Sequence, residues 1–366
     1  MKKLLCVLLL LPLFSVPCYA QSISEETAEQ TGAYQVQDGL SQDELEISGK
    51  LRLDGSYDAM GALARAWQRL TSAVRKTLRA ELGFAGKILV IAVCCGFSAA
   101  LSPEARVPRW FEIGACCAAI HLLADNMNGI FTQAEETLAH LQDYTKAAFP
   151  AFFTTLAASG AAASASVRYA SIVFVSDVFM SAAQCVILPL IQAHLCVSIC
   201  SALFDNALLR AVAKTTKWCA VASMSMLCTV FCTYIGLSGV ISGSADAVAV
   251  KTARTVISSA LPVVGHILSN SASSILAAAV MIKNSAGVFC LISVCAICVA
   301  PFAFLAVKYL LYKASAMLSS LSGSERFSQM LASMGSVYGM LLGLIGSFGF
   351  MLFYSFLSGI RAANPV

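Results

Sequence analysis

The sequence predicts an all-α, polytopic membrane protein with about eight transmembrane helices, an N-terminal amphipathic helix and a broken or interfacial helix pair. Hydrophobic residues make up 58% of the chain, and the mean hydropathy is +0.77. Charged residues make up only 12%, whereas an ordinary soluble domain contains about 25%. Several apolar runs approach the roughly 20 residues that span a bilayer, and they lack the alternation typical of transmembrane β-strands.

The first 82 residues divide into three segments. Residues 1–20 have the pattern of a signal peptide, which we expect to be cleaved after Ala20, and an uncleaved anchor is the alternative. Residues 21–58 are acidic and turn-rich, which predicts a largely flexible extracytoplasmic segment. Residues 59–82 predict a basic amphipathic helix that lies in the membrane interface or docks on a partner. Its apolar stripe consists of Leu63, Trp67, Leu70, Val74, Leu78 and Leu82.

Residues 83–366 form the predicted multi-pass membrane domain. Its eight crossings are expected at residues 84–101, 110–124, 147–165, 171–204 as two short spans divided at Pro189, 218–240, 286–307 and 333–358. Both mature ends then lie outside the cytosol, because the positive-inside tendency places the basic loops within it. The basic residues expected on the cytosolic side are Arg210, Lys214, Lys217, Lys308, Lys313 and Arg326.

Residues 239–287 are the least ordinary part of this domain. They are too polar for a lipid-facing span and too apolar for a free loop. Pro262 and Gly265 interrupt an otherwise helical rhythm in the middle of the stretch. We therefore predict a broken or interfacial helix pair that packs against the flanking spans.

Polar and ionisable residues within apolar runs are candidate functional residues. Asp177 and Gln184 are seven positions apart, so they share a helix face and either line a polar path or make interhelical hydrogen bonds. Lys251 and Arg254 also share a face. With Lys283, they either anchor to lipid phosphates or form the rim of a pore or docking surface.

Three glycines in the last predicted span, at residues 335, 339 and 343, follow each other at steps of four. This spacing lets two helix backbones approach closely. Gly335, Gly339 and Gly343 are therefore candidate helix-packing residues, either within one subunit or between subunits.

The sequence contains no motif of a known catalytic or cofactor-binding site. HExxH, GxSxG, the Walker A loop and GxGxxG are all missing. Cys295 and Cys298 have no second pair or histidines at ligand spacing, so we expect no metal. Basic residues are not interleaved with aromatic ones, so we expect no nucleic-acid partner. These features predict a protein that is not an enzyme and uses no cofactor.

The central stretch also resembles the stage III sporulation protein AE family. The likeness runs from about residue 83 to the C-terminus and is densest between Gly239 and Tyr312. The residues that carry it are Gly239-Val-Ile-Ser, Asp246 within Ala-Asp-Ala-Val, Lys251-Thr-Ala-Arg254, Pro262-Val-Val-Gly265, Lys283-Asn-Ser-Ala-Gly287 and Ala300-Pro301.

The resemblance implies a non-catalytic integral membrane subunit of a channel-like complex between mother cell and forespore, needed for late forespore development. It implies a location in the mother-cell membrane around the forespore, among membrane lipids. The implied partners are the other stage III A-operon proteins, including an ATPase and ring-forming subunits, and a forespore-side stage II protein. An independent secondary transporter of a small solute is the alternative, and it would show paired inverted repeats.

Overall fold

The computed structural model describes residues 37, 39–49, 57–101, 107–204, 206–260, 265–321 and 325–362. The predicted signal peptide and Pro262 lie outside these residues. Every regular element in the described part is helical, which confirms the all-α prediction. The helices are α1 Gln42–Ser48, α2 Ala59–Leu101, α3 Val107–Ala158, α4 Ala162–Ala182, a π-helical turn Ala183–Ile187, α5 Leu188–Phe204, α6 Ala207–Ala260, α7 Gly265–Leu321 and α8 Glu325–Ala362.

Among the described residues, four helical stretches are long and apolar enough to cross a membrane. They are Ala162–Phe204, Ala207–Leu237, Val280–Leu321 and Glu325–Arg361. The predicted count of eight crossings is not confirmed. Two of the predicted spans, 110–124 and most of 147–165, belong to the single helix α3, because the acidic segment between them continues the helix and does not form a loop.

Pro189 does not divide the helix in which it lies. The helix continues from α4 through the π-helical turn into α5, so residues 162–204 form one rod where two short spans were predicted. A proline lacks an N–H and crowds the carbonyl four residues before it, which for Pro189 is that of Cys185. Cys185 lies inside the π-helical turn, and such a turn shifts the hydrogen-bond ladder by one residue and accommodates the proline.

The predicted break in the central stretch falls at residues 261–264, which lie outside the described part, so it stays a prediction. Helix α6 ends at Ala260 and helix α7 begins at Gly265. A proline disfavours helical backbone in the residue before it, so an ending at residue 260 is expected when Pro262 follows. The central stretch is thus divided between the last turns of one long helix and the first turns of the next.

Helix α8 lies at the centre of the bundle. It packs most extensively on α7 and also contacts α3, α5 and α6. Its apolar side chains meet aromatic rings from several neighbours: the Phe348 and Phe179 rings stack with centroids 5.0 Å apart, and Tyr338 stacks on Tyr312 at the same distance. Burial of many such rings in one contiguous core is the main stabilising contribution to the packing.

Membrane-capable stretches that follow each other in the chain run antiparallel, whereas α6 and α8 run parallel, since Lys217 contacts Ser336 and Cys228 contacts Ser347. At one end of the bundle, Lys217 on α6 and Lys313 on α7 contact Ser336 and Ala332 on α8. We call this the basic end. At the opposite end, the first turn of α4 and the last turn of α8 contact α6 and α7, and we call this the helix-end junction.

The N-terminal helix α1 is short but well anchored. The backbone N–H of Ser41 donates to the Glu44 carboxylate at 2.9 Å, and the helix ends at Gly49, whose φ of 76° favours glycine. The Arg65 side chain and the Tyr57 hydroxyl donate to the carbonyls of Ile47 and Ser48 in the last turn. Residues 42–48 are therefore an ordered helix inside the segment predicted to be flexible.

The predicted amphipathic helix, residues 59–82, forms the first half of α2. Ala66 packs with Ile47 of α1 and Ala296 of α7 in a small buried cluster. Trp67, on the predicted apolar stripe, is 66% exposed, and Leu82 is also exposed. The face that packs inside this chain is thus the alanine face, and Trp67, Leu78 and Leu82 of the stripe remain exposed to a membrane interface or a partner.

Candidate functional site

The helix-end junction contains charged residues from the central stretch. One of the helix ends that meet there is the N-terminus of α4. Gly160 has a φ of 89°, so the chain turns sharply after α3, and α4 begins two residues later. The residue before the helix, Ala161, has no side chain that could cap the first N–H groups. Helix α4 must therefore find its N-terminal hydrogen-bond acceptor elsewhere.

Asp246 of α6 supplies that acceptor. One carboxylate oxygen accepts the N–H of Ala163 and the other accepts the N–H of Ser164, each at 2.9 Å. Asp246 is only 8% exposed, so little water competes for these bonds. A carboxylate at a helix N-terminus satisfies orphan donors and complements the positive end of the helix dipole.

Lys283 of α7 plays the complementary role at the end of α8. Its ammonium group donates to the carbonyl oxygen of Ile360 at 2.8 Å, and the side chain is completely buried. Ile360 lies in the last turn of α8, where carbonyl groups lack partners within the helix. A cation at a helix C-terminus also complements the negative end of the helix dipole.

Arg168 on α4 adds a second buried cation. It is 5% exposed, donates to the hydroxyl of Ser358 on α8, and interacts electrostatically with Asp246. The junction therefore contains one carboxylate and two cations, with a helix N-terminus near the first and a helix C-terminus near Lys283. Because opposite partial charges face each other, burial of these groups is compensated.

Glycines allow the helices to approach at this point. A methyl group on Gly287 of α7 would overlap Ile360 of α8 and Phe152 of α3. A methyl group on Gly359 would lie 2.6 Å from the Phe152 ring. Lys283 and Gly287 are four residues apart and share a helix face, so one side of α7 both binds the end of α8 and makes room for it. Chemically, the junction is a set of hydrogen bonds between charged side chains and the backbone groups at helix ends.

The other predicted polar residues occupy different environments. Asp177 is exposed and accepts a hydrogen bond from the Gln142 amide of α3 at 2.8 Å. Gln184 is exposed and lies in the π-helical turn. Lys251 is exposed on α6, whereas Lys283 is buried, so the structure does not bring these two lysines onto a common rim. Arg254 lies in α6, and its side chain falls outside the described part.

The predicted packing glycines divide between two neighbours of α8. A Cβ atom on Gly335 would lie 3.3 Å from the Cβ atom of Tyr312, and one on Gly339 would lie 3.1 Å from the Tyr309 ring. Both glycines therefore face α7 within the same chain. Gly343 faces α6 instead, where a Cβ atom would lie 4.0 Å from the Met224 methyl group, so space remains beside it.

Sequence reasoning singled out Lys283 but missed the roles of Asp246 and Arg168. The pairs Asp246–Ala163 and Arg168–Ser358 join residues 83 and 190 positions apart, so only the folded chain brings them together. The sequence feature that could have indicated these roles is the placement of lone charges near the ends of predicted spans, next to small residues. Such charges are the ones that a neighbouring helix end can neutralise.

Comparison with known proteins identifies the family of this chain. A family model described as stage III sporulation protein AE matches residues 55–361, which include all the helices of the bundle from α2 to α7 and nearly all of α8. The chain belongs to the stage III sporulation protein AE family. The resemblance given by the central stretch is thereby confirmed, and a role in sporulation follows from it.

A relative of known name shares part of this length. The chain is 25% identical over 207 residues to the stage III sporulation protein AE of Bacillus subtilis (strain 168). The match covers 56% of this chain and 51% of the relative, so it spans about half the length of the curated protein. No solved structure matches the chain.

Proposed function

We propose that this chain is a non-catalytic integral membrane subunit of a channel-like complex that links mother cell and forespore during sporulation. The observation that carries the proposal is the family match over residues 55–361 on a chain whose described part contains four membrane-capable helical stretches. The junction supports an architectural role, because Asp246 and Lys283 bind backbone groups at helix ends. Groups held in this way fix the geometry of a scaffold.

The long helices fit a platform that reaches beyond the bilayer. Helix α7 has 57 residues and α6 has 54. At about 1.5 Å per residue, each is about 80 Å long, whereas the hydrocarbon core is about 30 Å thick. Parts of both helices therefore extend outside the membrane, where soluble subunits can dock.

The orientation that we propose follows the basic residues. Arg210, Lys214, Lys217 and Lys313 lie at the basic end, which the positive-inside tendency places in the mother-cell cytosol. The helix-end junction then lies toward the space between mother cell and forespore. An ATPase subunit would meet the basic end, and ring-forming subunits would meet the opposite side. In this proposal α2 and α3 each contribute one pass in addition to the four membrane-capable stretches, because each of them is a single helix.

The test is a clean deletion in the source organism, with a tagged copy followed by microscopy during starvation. We expect the mutant to complete engulfment and then stall with small forespores, and the tag to encircle the forespore in the mother-cell membrane. An untagged wild-type copy at a second locus is the control for the tag. Normal spores and an even distribution of the tag in the cell membrane would sink the proposal.

A further inference from the structure

The basic end contains a cavity that the architecture alone does not explain. It has a volume of about 350 Å³ and lies between α5, α6, α7 and α8. Four cationic side chains line it, and none of the described residues that line it is acidic. Glu325 binds the amide of Gln329 at the rim, at 3.2 Å, without being part of the lining. The cations are Arg210, Lys214, Lys217 and Lys313.

Two buried polar groups on α5 point to a ligand in this cavity. The Nδ1 atom of His194 lies 2.8 Å from the carbonyl oxygen of Ala213, so Nδ1 carries the proton of that bond. The Nε2 atom has no partner in the structure, and neither has the hydroxyl of Ser198. These residues are only 4% and 5% exposed and line the cavity. Buried polar groups without partners are rare, and a bound ligand accounts for them.

A second cavity of about 630 Å³ continues from the first. The two share Lys217, Lys313 and Ser336 in their linings. The Lys217 ammonium donates to the Ser336 hydroxyl at 3.1 Å and the Lys313 ammonium donates to the Ala332 carbonyl at 3.2 Å, so both cations are held at the boundary. Beyond this boundary the lining becomes mostly apolar, with Val221, Met224, Met340, Leu342, Gly339 and Gly343.

The shape of the second cavity distinguishes a lipid from a soluble anion. Gly343 is exposed, and the space beside it forms a slot between α6 and α8. Val221 on the facing helix is 44% exposed, so the slot opens on the outer surface of a membrane-capable helix. A soluble phosphate would use the basic cavity alone. A phospholipid would use both cavities, because its acyl chain needs an apolar slot next to the headgroup site.

We propose that these two cavities, together called the basic cleft, bind one anionic phospholipid. The phosphate group lies among Lys217, Lys313, Arg210 and Lys214, and Ser198 and His194 bind polar headgroup atoms. One acyl chain follows the Gly339–Gly343 side of α8. By the positive-inside tendency, the lipid belongs to the cytosolic leaflet. The inference stands apart from the sporulation role, and failure of the deletion experiment would leave it intact.

The test measures lipid binding by the full-length protein in detergent micelles, with fluorescent short-chain phosphatidylglycerol and phosphatidylcholine as probes. We expect phosphatidylglycerol to bind more tightly than phosphatidylcholine. The double variant Lys217→Gln/Lys313→Gln should weaken phosphatidylglycerol binding about 30-fold, since each cation contributes about one factor of five to six. The matched control is Lys146→Gln, which removes an exposed cation on α3 outside both cavities and should leave binding unchanged.

A third variant separates the headgroup from the acyl chain. Gly343→Leu fills the apolar slot and should weaken phosphatidylglycerol binding while the cationic cavity stays intact. Inorganic phosphate, added as a competitor, should displace the lipid poorly because it fills the basic cavity alone. Equal binding of the two lipids, equal effects of the Lys217/Lys313 and Lys146 variants, or efficient displacement by phosphate would each overturn the proposal. Should the double variant unfold, Arg210→Gln and Lys214→Gln, both exposed, provide the same comparison.

Discussion

Replacement of Asp246 by alanine should destabilise the bundle more than any single exposed acid does. The change removes two hydrogen bonds of 2.9 Å, to the N–H groups of Ala163 and Ser164, from a site that is 8% exposed. Loss of a helix N-cap costs about 0.5–2 kcal/mol, and a buried donor without a partner costs about 1–3 kcal/mol. Arg168 also loses its electrostatic partner. We therefore expect a loss of about 2–4 kcal/mol in the free energy of unfolding.

The assay is reversible unfolding of the purified protein in mixed micelles, titrated with a denaturing detergent. Asp246→Asn keeps one carbonyl oxygen as an acceptor, so it should lose about half as much stability as Asp246→Ala. Asp143→Ala is the matched control, because it removes an exposed aspartate on α3 and should change the free energy by no more than about 0.5 kcal/mol. Equal stabilities of the Asp246→Ala and Asp143→Ala proteins would refute the capping role.

Three further changes test other contacts by the same unfolding assay. Gly287→Ala should destabilise the protein by about 1–3 kcal/mol, because the added methyl group overlaps neighbouring side chains. The control Gly114→Ala, at a position with open space beside it, should be neutral or stabilising. Equal effects of the two changes would contradict the close approach of the helices at Gly287. Glu81 accepts from the buried Lys308 ammonium at 2.7 Å, so Glu81→Ala should cost about 3–5 kcal/mol, and Lys308→Met in the same protein should restore most of it. Failure of that rescue would show that the pair is unimportant. Burial raises the pKa of Tyr57, so its contribution to stability is present below about pH 10 and declines above it, where the unfolded state loses the proton first. Tyr57→Phe should flatten that decline, and an unchanged pH profile would contradict the burial.

Much of the fold was predictable because local physical rules determine it. Apolar runs with few charges predicted a helical membrane domain, and the predicted break around Pro262 and Gly265 falls between the bounds of α6 and α7. The helix continuity at Pro189 was not predictable, because it depends on a π-helical turn that no residue pattern announces. The joining of two predicted spans in α3 was missed for a related reason: acidic residues indicate solvent exposure, and they do not indicate a loop.

The candidate site was predictable only in part. Lys283 stood out as a lone cation beside an apolar run. Whether it lies on an exposed rim or donates a buried hydrogen bond depends on where the end of α8 lies, and the sequence does not give that position. The same holds for Asp246, whose partners on α4 are 83 and 82 positions away. The basic residues of the cleft belong to the group of predicted cytosolic charges, and the structure places them around one cavity. Their convergence around His194 and Ser198 required the packing of four helices.

The most direct test of the central claim is affinity purification of the tagged chain from membranes of sporulating cells, with vegetative cells as the control. We predict co-purification with an ATPase and with ring-forming stage III proteins in sporulating cells only. Recovery of the chain alone from both cultures, combined with solute uptake by the purified protein in vesicles, would contradict the claim and identify an independent transporter.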